Sequence, residues 1–261
     1  MSSLFPWMGG KSRLAKRIVA ELPDHRCYVE LFAGAANVLF VKPPSKTEVI
    51  NDINDDITNL FRVVRFHRRE LLRELLFVSH SRRTWNLYRA QPGLTDIQRA
   101  ARTWFILKTA FGGRGGTKSP AYGYGTTNRA HFNRAAMKAI RRCHKRLDGV
   151  YVECLDFEKC IGKYDRKHTV FYCDPPYLQT AAYKYDFGIA DHQRLADRLL
   201  KIKGKFLLSI NDHEDIRTLY KDCNVKEISV RYSVSRTKTP QATRRTELLI
   251  ANYPLQKGSG L

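Results

Sequence analysis

The chain of 261 residues is 43% hydrophobic and 27% charged, which excludes a disordered chain and a collagen-like repeat. Forty-six lysines and arginines against 25 acidic residues give a net charge of +21, and this excess indicates a polyanionic partner. The longest apolar stretch, residues 31–41, is too short to cross a bilayer, and residues 1–11 lack the apolar core of a secretory signal, so we expect a protein that does not associate with membranes.

The first and last parts of the chain alternate between short strands and helices. Strands are predicted over residues 27–32, 47–50, 169–173 and 205–210, and helices over residues 11–22, from Asn37 onward and over residues 191–202. Residues 225–232 and 247–253 are predicted to form paired strands joined by a basic loop that contains Arg236, Lys238, Arg244 and Arg245. Such alternation predicts an α/β fold with a mostly parallel sheet.

The middle of the chain is strongly basic and has a helical pattern. Between Arg62 and Arg146 there are 20 lysines and arginines against three acids, so this segment carries +17 of the net charge. Leu60, Val64, Leu71 and Leu75 form one apolar stripe. Residues 95–98 (TDIQ) read as a capping box, and residue 133, an asparagine, as the cap of a further helix. The glycine-rich residues 111–125 between these helices predict a loop.

A turn of small residues follows the first strand. Residues 29–36 read VELFAGAA, and small residues there let a ligand approach the backbone. Eighteen residues after Gly34 the second strand ends at Asp52, where an acid holds a ribose diol in nucleoside-binding folds. Capping of the next helix is the alternative role for Asp52. The two features together predict a nucleoside site, and the absence of a G-x-G-x-x-G pattern disfavours a nicotinamide cofactor.

The strongest chemical signal is the segment FYCDPPY, residues 171–177. A strand ends in Asp174, two prolines fix the backbone, and the ring of Tyr177 follows. The N6 lone pair of adenine is delocalised into its ring. Hydrogen bonds from that amine to the Asp174 carboxylate and the Pro175 carbonyl would free the lone pair, while Tyr177 stacks on a base flipped out of the duplex. The segment therefore predicts a catalytic site for transfer of a group to an exocyclic amine.

Two other features predict no chemistry. Residues 9–12 (GGKS) resemble the end of a phosphate-binding loop, but they lack the earlier glycine and a preceding strand, which excludes an NTPase. The six cysteines contain no C-x-x-C pair and predict reduced thiols without a metal site.

His192 and His213 are interpreted as helix-start or loop residues. The aromatic residues Tyr183, Tyr185 and Phe187 are interpreted either as core packing or as neighbours of the target base.

Together these motifs resemble the Dam-like (D12 class, alpha group) DNA adenine-N6 methyltransferases over nearly the whole chain. Residues 5–11, 32–34, 153–157 and 174–177 are similar to the family's aromatic-x-G-G-K, F-x-G, D-F and D-P-P-Y motifs. The resemblance implies a Rossmann-like α/β core that binds S-adenosylmethionine, with a mostly parallel sheet and an inserted helical DNA-recognition domain. The implied cofactor-binding residues are Trp7, Lys11, Phe32, Gly34, Asp52, Asp156, Phe157 and Asp174. The implied catalytic residues are Asp174, Pro175, Pro176 and Tyr177. Trp7 replaces a common tyrosine, and Ala35 and Ala36 replace common glycines; we expect these changes to be tolerated.

The implied organisation has three parts. Residues 1–57 and 147–261 form the catalytic core, and residues 58–146 form the target-recognition domain. The candidate contacts to double-stranded DNA are Arg114, Lys118, Tyr122, Tyr124, Asn128, Arg129, Arg236 and Lys238. Residues 112–133 differ from the pattern of members that read GATC and are closer to phage-borne members with relaxed specificity, so we expect relaxed specificity. We expect a monomer or weak dimer without metal, in the cytoplasm of a bacterial or phage-infected cell.

Two alternatives stay open on the residues alone. The first is a methyltransferase for another amine, namely RNA adenine, cytosine N4 or a protein glutamine. Aspartate before Pro-Pro-Tyr favours adenine, and the basic segment favours duplex DNA. The second is a catalytically inactive DNA-binding regulator, against which the complete set of cofactor motifs argues.

Overall fold

A computed structural model of the chain describes residues 3–126, 130–178, 185–231 and 244–256. The strands are β1 (Cys27–Glu30), β2 (Thr47–Asn51), β3 (Val150–Glu153), β4 (Thr169–Cys173), β5 (Lys205–Asn211), β6 (Asn224–Arg231) and β7 (Arg244–Ala251). The α-helices are α1 (Ala15–Glu21), α2 (Asp55–Phe66), α3 (Arg68–Leu76), α4 (Arg82–Ala90), α5 (Asp96–Thr109), α6 (Arg134–Arg146), α7 (Phe157–Tyr164), α8 (Ile189–Leu199) and α9 (Glu214–Leu219). A 3₁₀ helix covers Phe111–Gly116.

The strands form one sheet in the order β3-β2-β1-β4-β5-β7-β6. β1 to β5 are mutually parallel, and β7 is antiparallel to both β5 and β6. The chain leaves β1 toward β2 but leaves β4 toward β5, so the strand order reverses between β1 and β4. A ligand crevice opens beyond the carboxyl ends of the strands at such a reversal. The predicted Rossmann-like α/β fold is confirmed.

Both faces of the sheet are buried, as expected for parallel strands covered by helices. Alternate residues point to opposite faces: Tyr28 and Val170 belong to one apolar cluster, and Val29 and Phe171 to the other. The first cluster extends through α1 and the helices between β2 and β3, while α7, α8 and α9 cover the second face. The sheet therefore provides a rigid base for the loops at its edge.

Helices α2 to α6 are inserted between β2 and β3, and their caps follow the predicted residues. The Thr95 hydroxyl accepts from the Gln98 amide nitrogen at 3.2 Å, and the Asn133 side chain accepts from Ala136 at 3.0 Å. The predicted apolar stripe from Leu60 to Leu75 is divided between two helices, α2 and α3, because the backbone at His67 leaves the helical region. The indole of Trp104 donates to the Leu4 carbonyl at 3.1 Å, which joins this insert to the N-terminal segment.

Three predictions about local structure need correction. The helix expected from Asn37 is wrong, since residues 38–41 form turns. Two prolines follow at residues 43 and 44, and proline disfavours a helical conformation in the residue before it. β3 was not predicted. The predicted glycine-rich loop contains short 3₁₀ turns within Phe111–Gly116, separated by a kink where Gly112 and Gly113 have left-handed backbone. The predicted pairing of the last two strands is confirmed, but β7 begins at Arg244, so Arg244 and Arg245 belong to the strand and not to the predicted loop.

All six cysteines are free thiols, and Cys154 alone among them is exposed. Within the described ranges, no group of three or more His, Cys, Asp and Glu side chains is arranged to bind a metal ion. None of the helices in the described ranges has the length and apolar character needed to cross a membrane.

Candidate active site

A cavity of about 300 Å³ opens at the carboxyl edge of the sheet, where the strand order reverses. This volume is at the lower end of the range of about 300–1,000 Å³ typical of small-molecule sites. The eight residues predicted to bind a cofactor all line it: Trp7, Lys11, Phe32, Gly34, Asp52, Asp156, Phe157 and Asp174. Residues separated by more than 160 positions therefore meet at one place.

One carboxylate organises the turn after β1. The backbone amide of Gly34 donates to Asp52 Oδ2 at 2.8 Å, and the amide of Asn54 donates to Oδ1 at 2.9 Å. Gly34 has a φ of +47°, in the left-handed region that favours glycine. Ala36 has a φ of +49°, a left-handed conformation that costs a residue with a Cβ atom about 1–2 kcal/mol. Asp52 thus supports the turn and presents its carboxylate to the cavity.

The ring of Trp7 lies between the core and the insert. A Cβ atom at Gly34 would be 2.7 Å from Trp7 Nε1, and a Cβ atom at Gly116 would overlap the far edge of the indole. Gly116 belongs to the 3₁₀ helix and lines the cavity. One wall of the cavity is therefore formed jointly by the N-terminal segment, the turn after β1 and the insert.

Aromatic rings form another wall. The rings of Phe32, Phe157 and Phe187 are 5.5 to 5.9 Å apart. The guanidinium of Arg194 lies 4.9 Å from the centre of the Phe157 ring and also contacts Asp156, whose side chain caps α7. Flat apolar surfaces with a nearby cation suit a purine base. From the sequence, Phe187 was interpreted either as core packing or as a neighbour of the target base. Arg194 was not predicted, because only the fold brings α8 beside the D-F segment.

A polar cluster lies beside the end of the cavity nearest to β4, and its members Lys11 and Asp174 line the cavity. Lys11 Nζ donates to Asp174 Oδ1 at 2.5 Å and to the Tyr177 hydroxyl at 2.7 Å. It also lies 3.1 Å from Glu247 Oε1, and the Tyr177 hydroxyl donates to the same carboxylate. Of the predicted catalytic residues, Asp174 and Pro176 line the cavity, whereas Pro175 is buried and neither it nor Tyr177 is a lining residue. The resemblance placed Lys11 on the cofactor, whereas here its ammonium pairs with the predicted catalytic carboxylate. Glu247 was not among the predicted residues.

The sequence model of the D12 class N6 adenine-specific DNA methyltransferases matches residues 7–234. The chain belongs to this family. The DNA adenine methylase of Haemophilus influenzae is 27% identical, with 96% of this chain and 93% of the relative covered. The type II methyltransferase M.MjaIII of Methanocaldococcus jannaschii is 28% identical, with 95% and 97% covered. Among solved structures, an rRNA methylase from Streptococcus thermophilus matches with a TM-score of 0.33 and 11% identity, covering 91% of this chain and 94% of that one.

These findings make the chain a DNA adenine methyltransferase, and the family implies S-adenosylmethionine as its methyl donor. They do not favour the alternatives, a change of amine or an inactive regulator. The relatives include both DNA adenine methylases and type II methyltransferases.

The charge of the cavity suits the methyl donor. Six acidic and two basic side chains are found among its described lining residues: Glu30, Asp52, Asp156, Asp174, Asp186 and Asp191 against Lys11 and Arg194. Burial raises the pKa of Glu30 to about 8, so this carboxyl is mostly protonated at neutral pH. An acidic cavity in a chain of net charge +21 attracts a sulfonium compound with net positive charge and disfavours phosphate-bearing nucleotides.

His192 of the methyltransferase lies in the first turn of α8, as its interpretation as a helix-start residue expects, and it also contacts the catalytic motif. It lies on α8 with 1% of its surface exposed, and its Nε2 is 3.1 Å from the carbonyl oxygen of Pro176. Its ring also contacts Phe187 at 4.8 Å between centroids. This contact was not predictable from the sequence, because α8 and the D-P-P-Y segment meet only through the fold.

We expect His192 to make folding stability depend on pH. Burial lowers the pKa of His192 to about 4, below its ordinary value of 6.5, so the unfolded chain binds the proton more readily. Stability is therefore lost as pH falls from 6.5 to 4, by up to about 3 kcal/mol. Urea unfolding of the wild type and of His192→Gln at pH 7 and pH 4 measures this change. The wild type should lose about 3 kcal/mol more than the variant, and equal losses would contradict the expectation.

The predicted DNA contacts are placed in different environments. Arg114 and Lys118 are exposed on the 3₁₀ segment and just after it, and Lys118 pairs with Asp186 across the cavity mouth. Tyr124 has 76% of its surface exposed. Tyr122 instead packs against the rings of His80 and Trp85, where it supports the segment from within. Asn128, Arg129, Arg236 and Lys238 lie outside the described residues, as does Tyr183.

Proposed function

We propose that the enzyme transfers a methyl group from S-adenosylmethionine to N6 of an adenine flipped out of double-stranded DNA. The observation that carries this proposal is the position of Asp174. Asp174 directly follows the last residue of β4. Its carboxylate lies in a cavity that Asp52 and the aromatic rings of Phe32 and Phe157 also line. A nucleoside cofactor and a nucleobase amine can therefore both approach the same carboxylate.

The cofactor half of the cavity is assigned by chemistry. In this proposal Asp52 binds the ribose hydroxyls, Phe157 and Phe32 contact the adenine ring with Asp156 beside it, and Trp7 and Gly34 form the wall beside the methionine part. When bound, S-adenosylmethionine supplies a methyl group activated by the positive sulfur. The remaining task of the protein is to bring N6 into line with that methyl group.

The catalytic half acts on the amine. Asp174 accepts a hydrogen bond from N6, and the carbonyl of Pro175, held by the rigid Pro175-Pro176 pair, accepts the second. These bonds draw the nitrogen out of conjugation, and the carboxylate offsets the positive charge that develops on it. Lys11 supports ionisation of Asp174, because an adjacent cation favours the charged form of a carboxyl. Tyr177 stacks on the base.

Residues 58–146 are proposed to recognise DNA. The cations of this insert neutralise phosphates, and phosphate contacts position the duplex without specifying its sequence. The exposed Arg114, Lys118 and Tyr124 lie within eight positions of Gly116, which lines the cavity, and this nearness in the chain favours a role near the flipped base. We further propose relaxed sequence specificity, a monomeric or weakly dimeric state, and action in the cytoplasm of a bacterial or phage-infected cell, where its DNA substrate lies.

Product analysis tests the proposal. Duplex DNA is incubated with the purified enzyme and methyl-labelled S-adenosylmethionine, then digested to nucleosides and separated. We expect all label in N6-methyldeoxyadenosine. Label in N4-methylcytosine, or transfer to RNA in preference to DNA, would contradict it. Mapping of the methylated positions measures specificity: relaxed recognition predicts modified adenines in many sequence contexts, whereas modification of GATC alone would overturn that part.

A further inference from the structure

Glu247 is a carboxylate at the active site that no motif of the sequence indicated. It lies on β7, opposite Asn211 of β5 and Ile228 of β6, and only 2% of its surface is exposed. Because β7 is inserted antiparallel between β5 and β6, a residue from the last strand reaches the same buried cluster as Lys11 and Asp174.

Both oxygens of Glu247 are engaged with the catalytic cluster. The Tyr177 hydroxyl lies 2.7 Å from Oε1 and 2.8 Å from Oε2, and Lys11 Nζ lies 3.1 Å from Oε1. Lys11 and Tyr177 in turn contact each other, and Lys11 contacts Asp174. Lys11 therefore links Glu247 to Asp174, since it contacts both carboxylates. Glu247 also contacts Tyr177 directly.

We propose that Glu247 is a positioning residue for methyl transfer, whose carboxylate fixes Lys11 and the Tyr177 hydroxyl so that Asp174 and the Tyr177 ring have the correct geometry for the target amine. This inference rests on the proposed function and adds a residue to it. Glu247 does not reach the cavity lining, so it acts through Lys11 and Tyr177 and not on the base. Positioning within about 0.5 Å is what such supporting groups provide.

The charges around Asp174 give a readout that distinguishes positioning from simple structural support. In the described part of the chain, the titratable groups that interact with Asp174 include Lys11, Glu30, Tyr172, Cys173 and Glu247, and Tyr177 bonds to Lys11 and Glu247. Burial raises the pKa of Asp174 to about 6, Lys11 opposes the rise, and the negative charge of Glu247 adds to it. The wild-type kcat should therefore decrease as pH falls through about 6, and removal of the Glu247 charge should move this decrease to lower pH.

The test is a comparison of wild type and Glu247→Gln, with kcat and KM for both substrates measured between pH 5 and 8. We expect kcat at pH 7.5 to fall at least about tenfold, which is 1.4 kcal/mol, while KM changes by less than about threefold. The acid limb of kcat should move to lower pH by roughly half a unit or more. Tyr177→Phe removes the hydroxyl, and the double variant should lose less than the product of the two single losses.

Glu48→Gln is the matched control. Glu48 is also a buried carboxylate in an ion-paired cluster, with Lys42 and Arg146, but it lies outside the cavity. The Glu48→Gln variant should have a lower free energy of unfolding, but the acid limb of its kcat profile should stay at the same pH as in the wild type. If Glu247→Gln does not fold, Glu247→Asp replaces it in the test. This variant keeps the negative charge but lengthens the contacts with Lys11 and Tyr177. We therefore expect kcat to fall while the acid limb of the pH profile stays at the same pH. An unchanged kcat and limb in folded Glu247 variants would overturn the proposal, while absence of methylated adenine with wild type would instead overturn the proposed function.

Discussion

Replacement of Asp174 by alanine is expected to lower kcat by about a thousandfold and to change the Kd for DNA by less than about threefold. In the proposed mechanism the carboxylate accepts a hydrogen bond from N6 and offsets charge that develops there, and both interactions are strongest in the transition state. Lys11 retains Glu247 as a partner when Asp174 is removed, so the variant does not leave a buried unpaired ammonium. Single-turnover methylation measures the rate, and fluorescence anisotropy of labelled duplex DNA measures the affinity.

Asp148→Ala is the control for this measurement. Asp148 is an exposed carboxylate that pairs with Arg65 on the insert, away from the cavity. Its removal should leave kcat within about twofold of the wild type, since exposed ion pairs contribute little. Methylation by Asp174→Ala at close to the wild-type rate would show that the end of β4 does not carry the reaction, and the roles given to Pro175 and Tyr177 would fall with it.

The sheet was predictable because its evidence is local. Each of the parallel strands β1, β2, β4 and β5 is a short run of β-branched or aromatic residues with a clear stop, and the Gly34 turn and Asp52 follow strand ends at a fixed interval. β3 was missed although it has the same length as β1. It lies at the edge of the sheet, its residues are not fully buried, and it begins just after the end of α6 at Arg146.

The supporting residues of the site were not predictable, for a different reason. Glu247 and His192 act through contacts with Tyr177 and the Pro176 carbonyl, which are 70 and 16 positions away in the chain. A glutamate in a strand beside leucines and a histidine at a helix start each have a common structural explanation. Asn51 is similar: its buried amide joins the carbonyls of Leu31 and Leu155, yet nothing in its neighbours indicates this. These residues are distinguished by their burial beside the active site, and only the fold brings them together there.

Replacement of Asp52 by alanine is expected to raise the Kd for S-adenosylmethionine by about thirtyfold, equivalent to about 2 kcal/mol. Two losses combine in this variant. The cavity loses a carboxylate proposed to accept hydrogen bonds from the ribose, and charge-assisted bonds of this kind contribute about 1.5–3 kcal/mol. The amides of Gly34 and Asn54 also lose their acceptor, so the turn against Trp7 is no longer held in one conformation. Isothermal titration with the cofactor or its demethylated product measures the change.

Asp165→Ala separates these effects from a general loss of order. Asp165 also accepts hydrogen bonds from two backbone amides, those of Lys203 and Gly204 at 2.9 Å, but it lies outside the cavity. Its loss should lower the melting temperature about as much as that of Asp52 and leave cofactor affinity unchanged. If the two variants weaken binding equally, Asp52 acts only through the stability of the fold. If Asp52→Ala binds the cofactor as the wild type does, the ribose lies elsewhere. A selective loss in Asp52→Ala would place the cofactor's sugar at the tip of β2, and with it the methyl group toward Asp174.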